Sequence, residues 1–226
     1  MALKRGNTSK NSAYLRNIKN AIEHNKNHPR HNGVLMQAHH IISAEGMKRS
    51  GLAKKIEKFG YDINDLQNLS FIPCTLQGGC HLGVQPHRGN HTALVDQEDY
   101  DDDNEPGDYH DMVARRIQRL NLPLHKECPG TDANKREKIN SELSALSKTI
   151  LTLIQKKPEE APLTNIAKYF TSGNYIGCGG ADSVQRNKGV TSCPVERNHE
   201  GRQAAGQKVE NIIFKSNGKF KLKPGE

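Results

Sequence analysis

Residues 34–42, VLMQAHHII, are the stretch that decides the fold. Apolar residues stand on both sides of two adjacent histidines, His39 and His40. A run of this kind predicts a short strand that carries polar side chains out of a hydrophobic core. Because successive side chains of a strand point to opposite faces, the two imidazoles are poorly placed to bind one metal ion together. We therefore expect a division of labour, in which one histidine is a metal ligand and the other a base.

The segment downstream predicts a partner strand. Residues 60–74, GYDINDLQNLSFIPC, indicate a turn and then a strand over residues 69–72 that Pro73 stops. A glycine-rich loop, residues 75–86, leads from this strand to the sequence HRGNH at residues 87–91. The two runs together predict a small β-hairpin.

The HRGNH sequence contains a second histidine pair, His87 and His91. Residues four apart lie on one face of a helix, so a helix that begins here would let both imidazoles chelate one ion. Gly89 weakens this helix prediction, although a first helical turn tolerates glycine.

Apolar residues at helical spacing predict four helices around the hairpin. They cover residues 14–22, 46–59 and 109–120, and a longer segment that Thr131 would cap and that ends before Pro158. This mixture indicates the α+β class. We divide the chain into three parts: an N-terminal helix and polar linker at 1–32, a core at 33–122 with an acidic insertion at 96–108, and a helical and loop-rich extension at 123–226.

The charge of the chain is unevenly placed. The net charge is +8 at pH 7, yet residues 96–108 hold eight acidic residues and no Lys or Arg. The remainder carries 33 basic against 17 acidic residues, or +16. This excess of positive charge favours binding of a polyanion such as nucleic acid. On charge alone, however, the commoner explanation is a solvated surface that keeps the protein soluble. The candidate phosphate contacts are Lys48, Arg49, Lys54, Lys55 and Arg88.

The core is expected to be small, because only 34% of the 226 residues are hydrophobic and there is no Trp. Five cysteines form no CxxC pair, so neither a disulfide framework nor a zinc ribbon is indicated. Cys74 with Cys80, and Cys178 with Cys193, could each form a bridge, and free buried thiols are an equal alternative.

No apolar run approaches the ~20 residues that cross a bilayer, and the N-terminus lacks the apolar centre of a secretory signal. The sequence thus predicts a soluble protein without a membrane span or an ordinary signal peptide. Its oligomeric state is left open.

Taken in order, AHHII, NLSFIPC and HRGNH resemble the HNH, or ββα-metal, nuclease superfamily. The run at residues 38–42 resembles the AHH family of toxin nucleases, with GYDIN and YHDMV as weaker matches. The likeness covers about residues 33–120. It implies a ββα-metal (His-Me finger) core surrounded by helices, and an endonuclease that hydrolyses phosphodiester bonds of DNA with little sequence preference.

The same resemblance implies a role for each residue of the site. His39 would be the first metal ligand, and His87 and His91 would complete a site for one divalent ion, whether Mg, Mn, Ni or Zn. His40 would be the general base that activates water. Asn68 would tie the hairpin together and steady that base.

Two more histidines, His110 and His81, are further candidates for the site, the second outside the matched pattern. A neutral His40 is required to accept a proton, so activity is expected to fall below about pH 6 to 6.5, near the ordinary pKa of histidine. The resemblance further implies a bacterial toxin or effector, delivered into the cytoplasm of a target cell and neutralised in its producer by an immunity protein.

Two other functions remain open from the sequence. In the first, the same histidines hold a structural zinc in a non-catalytic module that binds nucleic acid or protein. In the second, the scaffold cleaves RNA through the ribose 2′-hydroxyl.

Overall fold

The structure, a computed structural model, describes residues 5–87, 106–124, 133–201, 211–215 and 220–226. The elements in chain order are α1 Ala13–Ile22, β1 Met36–His40, α2 Ala44–Arg49, α3 Ala53–Lys58, β2 Leu69–Pro73, α4 Leu76–Leu82, α5 Pro106–Arg119 and α6 Ala133–Lys156. Short 3₁₀ turns cover Pro29–Asn32, Leu66–Asn68 and Ala167–Phe170. Helices around a small antiparallel sheet are an α+β arrangement, as the sequence predicts.

The sheet is a single antiparallel pair of strands in the part of the chain that the structure describes. Ala38 lies opposite Phe71 and His40 lies opposite Leu69. The outer edge of β2 is covered, because the Leu69 carbonyl accepts from the Gly225 amide at 2.7 Å and the Phe71 amide donates to the Glu226 carbonyl at 2.7 Å. Covering this edge satisfies backbone groups that an exposed strand would leave open to pairing.

One hydrophobic core joins most of the elements. All three predicted parts of the chain contribute buried side chains to it. Examples are Ile22 from the N-terminal part, Phe71 from the core part and Leu143 from the extension. Helix α2 packs closely on α5, where a Cβ at Gly46 would come within 2.6 Å of Val113. Among the described helices, none combines the length and apolar character that a bilayer crossing requires.

A second, smaller core lies between α4 and the segment 166–193. Its seven buried residues are Leu76, Cys80, Ile166, Phe170, Cys178, Val184 and Cys193. The chain from residue 171 to residue 201 contains no helix or strand. The described cysteines Cys74, Cys80, Cys178 and Cys193 are free thiols, so the free-thiol alternative holds for both pairs. Cys128 lies outside the described residues.

Two local features differ from the sequence prediction. The single helix expected at residues 46–59 is two helices, because Gly51 adopts a left-handed conformation at φ +73° and the Ser50 hydroxyl donates to the Met47 carbonyl. The expected glycine-rich loop contains α4, whose first turn is capped by the Thr75 hydroxyl accepting from the Gly78 amide at 2.9 Å. This cap and the tight packing at Gly79 outweigh the low helix propensity of glycine.

Candidate active site

A cavity of about 700 Å³ lies at the end of the hairpin. It is lined by four histidines, His39, His40, His87 and His110, and by three basic side chains, Lys10, Lys19 and Arg30. The end of β1 therefore brings His39 and His40 to one concave site, together with His87 from the segment after α4. His91 and Arg88 lie outside the described residues.

The ring of His39 is held by Tyr109. The Tyr109 hydroxyl lies 3.0 Å from His39 Nε2 and donates its hydrogen to the Ile41 carbonyl at 2.6 Å. Burial raises the pKa of Tyr109 far above its usual range, so the hydroxyl keeps that hydrogen. With its one hydrogen committed, the hydroxyl accepts from His39 Nε2. In the tautomer that donates from Nε2, the lone pair of the His39 ring is on Nδ1.

His87 lies beside His39, with 4.6 Å between the ring centroids. Its Nδ1 is 3.2 Å from the Gln37 Oε1 atom, an acceptor, so Nδ1 donates and the lone pair is on Nε2. Burial, followed by the charge of Lys10, lowers the pKa of His87 to about 4. His87 is thus neutral at ordinary pH, as a ligand must be.

These two residues fit a divalent metal ion. Metal-binding histidines donate their other ring N–H to a fixed partner, which sets the tautomer and the ring orientation. His39 has this arrangement with Tyr109, and His87 has it with Gln37. Two buried imidazoles side by side are donors for Zn²⁺ or Ni²⁺.

His40 is held by a different residue. Its Nε2 is 3.2 Å from Asn64 Oδ1, and its ring packs on Tyr14 at 4.5 Å between centroids. The side-chain amide nitrogen of Asn64 donates to Asp62 Oδ1 at 2.8 Å. This bond orients Asn64 Oδ1 toward the histidine. His40 therefore donates from Nε2 and has its lone pair on Nδ1.

The pKa of His40 differs from the sequence expectation. Burial lowers it to about 4, against the hydrogen bond to Asn64, which raises it. His40 consequently stays neutral below the pH 6 to 6.5 range that an ordinary histidine would set.

Asn68 ties the hairpin to its surroundings. Its Oδ1 accepts from the Ile42 amide at 2.7 Å, and its Nδ2 donates to the carbonyls of Ile42 at 3.0 Å and Ile63 at 2.9 Å. The Ser147 hydroxyl of α6 also donates to Oδ1, at 2.9 Å. His40 donates its hydrogen bond to Asn64 and not to Asn68. Sequence reasoning missed Asn64, although it lies within the weak GYDIN match.

The two additional candidates lie in different places. His110 lines the cavity, where the Ser43 hydroxyl is 2.8 Å from its Nδ1. His81 is not among the cavity's lining residues. Its Nε2 donates to the Phe214 carbonyl at 2.7 Å, and its Nδ1 accepts from the His199 amide at 3.1 Å. His81 thus links α4 to the C-terminal part of the chain.

The predicted phosphate contacts on α2 and α3 are exposed and do not line the cavity. Arg49 is engaged by Glu45 at 2.9 Å and by Asp111 at 2.8 Å, while Lys48, Lys54 and Lys55 project from the surface. The cavity has its own cations, among them Arg30, which lies over the Phe71 ring at 4.8 Å and donates to the Met36 carbonyl. Sequence reasoning missed these cations because they come from the N-terminal part.

A second group of ligating side chains lies outside the cavity. Cys80, Cys178, Cys193 and His199 place their ligand atoms within 4.8 Å of one another, and all four are buried. This cluster was hard to predict from the sequence, because Cys80 is far from the other three residues and the spacing Cys178–Cys193–His199 matches no zinc-ribbon pattern.

The hairpin presents paired histidines to a basic cavity. A comparison with protein-family profiles matches residues 31–150, more than half of the chain, to "a nuclease family of the HNH/ENDO VII superfamily with conserved AHH". The chain therefore belongs to the AHH nuclease family, which confirms the resemblance found in the sequence. Membership implies a nucleic-acid substrate and a divalent metal. No curated protein and no solved structure matches the chain.

The matched region extends beyond the core boundary drawn from the sequence and includes most of α6. Helix α6 also contacts the hairpin directly, through the hydrogen bond from the Ser147 hydroxyl to Asn68 Oδ1.

Proposed function

We propose that the chain is a metal-dependent endonuclease that hydrolyses phosphodiester bonds of DNA with little sequence specificity. His39, His87 and His91 are its metal ligands, and His40 is its general base. The observation that carries the proposal is the pairing of His39 and His40 with different partners, Tyr109 and Asn64, at one cavity.

His40 Nδ1 removes the proton from the attacking water. Asn64 holds the ring through Nε2 and, with Asp62 behind it, favours the imidazolium that forms. When bound, the metal ion supplies charge neutralisation at the phosphate and at the departing oxygen. Each histidine then keeps one task throughout the reaction.

Lys10, Lys19 and Arg30 attract the phosphate backbone to the cavity. Contacts to phosphate position a nucleic acid without reading its bases. A site whose cations serve in this way cleaves many sequences. The exposed Lys48, Lys54 and Lys55, together with Arg88, extend this attraction along the substrate.

A biological role as an antibacterial toxin or effector is the second part of the proposal. It rests on the resemblance to toxin nucleases of the AHH family. The partner would be an immunity protein that blocks the cavity in the producing cell, and the site of action would be the cytoplasm of the target. Induced expression in a bacterium tests this part: wild type should degrade the chromosome, and His40→Ala should be tolerated.

The test of the enzymatic proposal is plasmid cleavage at neutral pH with Mg²⁺ or Mn²⁺, followed by removal of the metal with EDTA. His40→Ala should lower the rate by about 10²–10⁴-fold, as expected for loss of a general base. His24→Ala, at an exposed histidine outside the site, should cleave normally.

The alternatives give different results in the same assay. Cleavage of RNA alone, without need of a metal, would make the chain an RNase. No cleavage of either nucleic acid by folded, metal-loaded wild type would leave the non-catalytic binding module.

A further inference from the structure

The second core contains a metal site that is separate from the nuclease cavity. We propose that Cys80, Cys178, Cys193 and His199 bind one zinc ion, and that this structural zinc holds residues 171–201 against α4. The proposal does not depend on the nuclease mechanism.

The distances within the cluster match the edges of a zinc tetrahedron. Zinc bonds of about 2.3 Å to sulfur and about 2.0–2.1 Å to nitrogen give edges of about 3.8 Å between sulfurs and about 3.5 Å between sulfur and nitrogen. Cys178 Sγ and Cys193 Sγ are 3.7 Å apart, and His199 Nε2 is 3.5 Å and 3.4 Å from them. The fourth ligand atom, Cys80 Sγ, lies within 4.8 Å of the other three.

A closed set of four buried ligands favours a structural rather than a catalytic metal. Three cysteines cannot pair completely as disulfides, and the three thiols of the cluster are free. Thiolate and imidazole ligands in a tetrahedron select zinc over magnesium or calcium. Among the described residues, no other group of three or more ligating side chains comes so close together.

The backbone around the ligands is shaped for this cluster. Gly177 has φ +50°, and a Cβ there would come within 2.5 Å of Cys80 Sγ. Glu196 and Arg197, between the last two ligands, are the non-glycine residues with positive φ among those described. Strained conformations of this kind persist where the surroundings fix them firmly, as a metal ligand on each side would do.

Arg197 supplies charge and further bonds. Zinc replaces the protons of three thiols, which leave as three hydrogen ions, so the complex has a net charge of −1. The Arg197 guanidinium donates to the carbonyls of Cys80 at 3.1 Å, Phe170 at 2.8 Å and Thr171 at 2.7 Å. Its amide also donates to Cys193 Sγ at 3.3 Å. The Arg197 guanidinium therefore offsets the charge of the zinc complex and fixes the loop of residues 171–201.

The segment needs such a cross-link. Residues 171–201 have no helix or strand, and three of the seven residues in the second core are the cysteines themselves. So few apolar side chains do not hold a loop of this length without a metal or disulfide. The zinc would also act on the nuclease, because Cys80 belongs to α4, the helix that leads to His87.

The experiment is metal analysis of the full chain after prolonged EDTA, which strips an open histidine site. Wild type should keep about one equivalent of zinc per chain and release it when a mercurial reagent caps its thiols. His39→Ala/His87→Ala should keep the same zinc, which separates this result from the fate of the nuclease proposal. Cys74→Ser is the matched control and should also keep it.

Cys178→Ser/Cys193→Ser and His199→Ala should each lose the retained zinc, while His199→Cys should keep it. Cobalt exchange of wild type gives a measure that does not depend on the folding of these variants: it should produce the charge-transfer absorption of thiolate-bound Co²⁺. Wild type with neither retained zinc nor this absorption would overturn the proposal. Unchanged zinc in the double cysteine variant would do the same.

Discussion

The tautomer of His39 is fixed by a single hydroxyl. Tyr109 gives its hydrogen to the Ile41 carbonyl and receives the hydrogen of His39 Nε2. The position of the lone pair, and so the direction in which His39 can bind a metal, follows from a residue that never needs to touch the ion. This contact was beyond sequence reasoning, because Tyr109 and His39 are distant in the chain and no local pattern pairs them.

Tyr109→Phe should weaken metal binding by about 10–100-fold, because His39 loses the acceptor that orients it. Titration calorimetry with Mn²⁺ measures the change. Tyr175→Phe is the control, since that side chain is 71% exposed. Unchanged affinity in Tyr109→Phe would mean that His39 does not bind the metal or does not need this partner.

His28 makes the stability of the fold depend on pH. It is buried, and its Nδ1 accepts from the Arg30 amide at 3.2 Å. Burial, followed by the charge of His31, lowers the pKa of His28 to about 4, while an unfolded histidine keeps about 6.5. The unfolded chain therefore binds more protons below pH 6.5. The contribution of His28 is complete above that pH and is lost as the pH falls toward 4.

His28→Asn keeps an acceptor near the Nδ1 position and removes the titration. Urea unfolding at pH 7 and pH 5 should show a smaller loss of stability on acidification in this variant than in wild type. His24→Asn, at an exposed histidine, should behave as wild type does. An equal loss in wild type and His28→Asn would show that His28 does not titrate in this range.

Among the elements, those with a strong local pattern were predictable. The strand around the histidine pair, the strand ended by Pro73 and the amphipathic α1 and α5 all follow from apolar periodicity. Helix α4 was not predictable, because its two glycines argue against a helix and its support is tertiary packing. The proposed roles of His39 and His40 come from the sequence and the family resemblance, whereas their partners Tyr109 and Asn64 were visible only in the fold.

The contact between the hairpin and α6 makes a further prediction. Asn68→Ala should lower the free energy of unfolding by about 3 kcal/mol or more, since it leaves three buried backbone groups without their partner. Ser147→Ala should cost about 1 kcal/mol. The double variant should lose less free energy of unfolding than the sum of the two single losses, because each single variant already removes the hydrogen bond between the two residues.

Chemical denaturation of the four proteins measures this coupling. Ser144→Ala, one turn earlier on α6, is the control for the loss of a hydroxyl from the helix. Strict additivity of Asn68→Ala and Ser147→Ala would show that α6 does not support the hairpin through this bond.

The whole molecule combines a histidine cavity with a cysteine cluster, and α4 connects the two, because Cys80 belongs to this helix and His87 follows it in the chain. The cavity was within reach of sequence reasoning, because its histidines fall in compact motifs that match a family. The cluster was not, because its ligands are brought together only by long-range folding. The proposed zinc, together with the second core, explains how a chain with so few hydrophobic residues can order an extension that has no helix or strand from residue 171 to residue 201.

The separation of Cys80 from His199 along the chain also sets an order of events during synthesis. A ribosome adds about 5–20 residues per second, so His199 follows Cys80 by on the order of ten seconds. Throughout that interval the histidine pair has already been made, while the proposed zinc site still lacks a ligand. In each newly made molecule there is thus a period in which the proposed zinc site does not yet hold α4. On the zinc proposal, α4 is anchored only once His199 has been made and a zinc ion has bound.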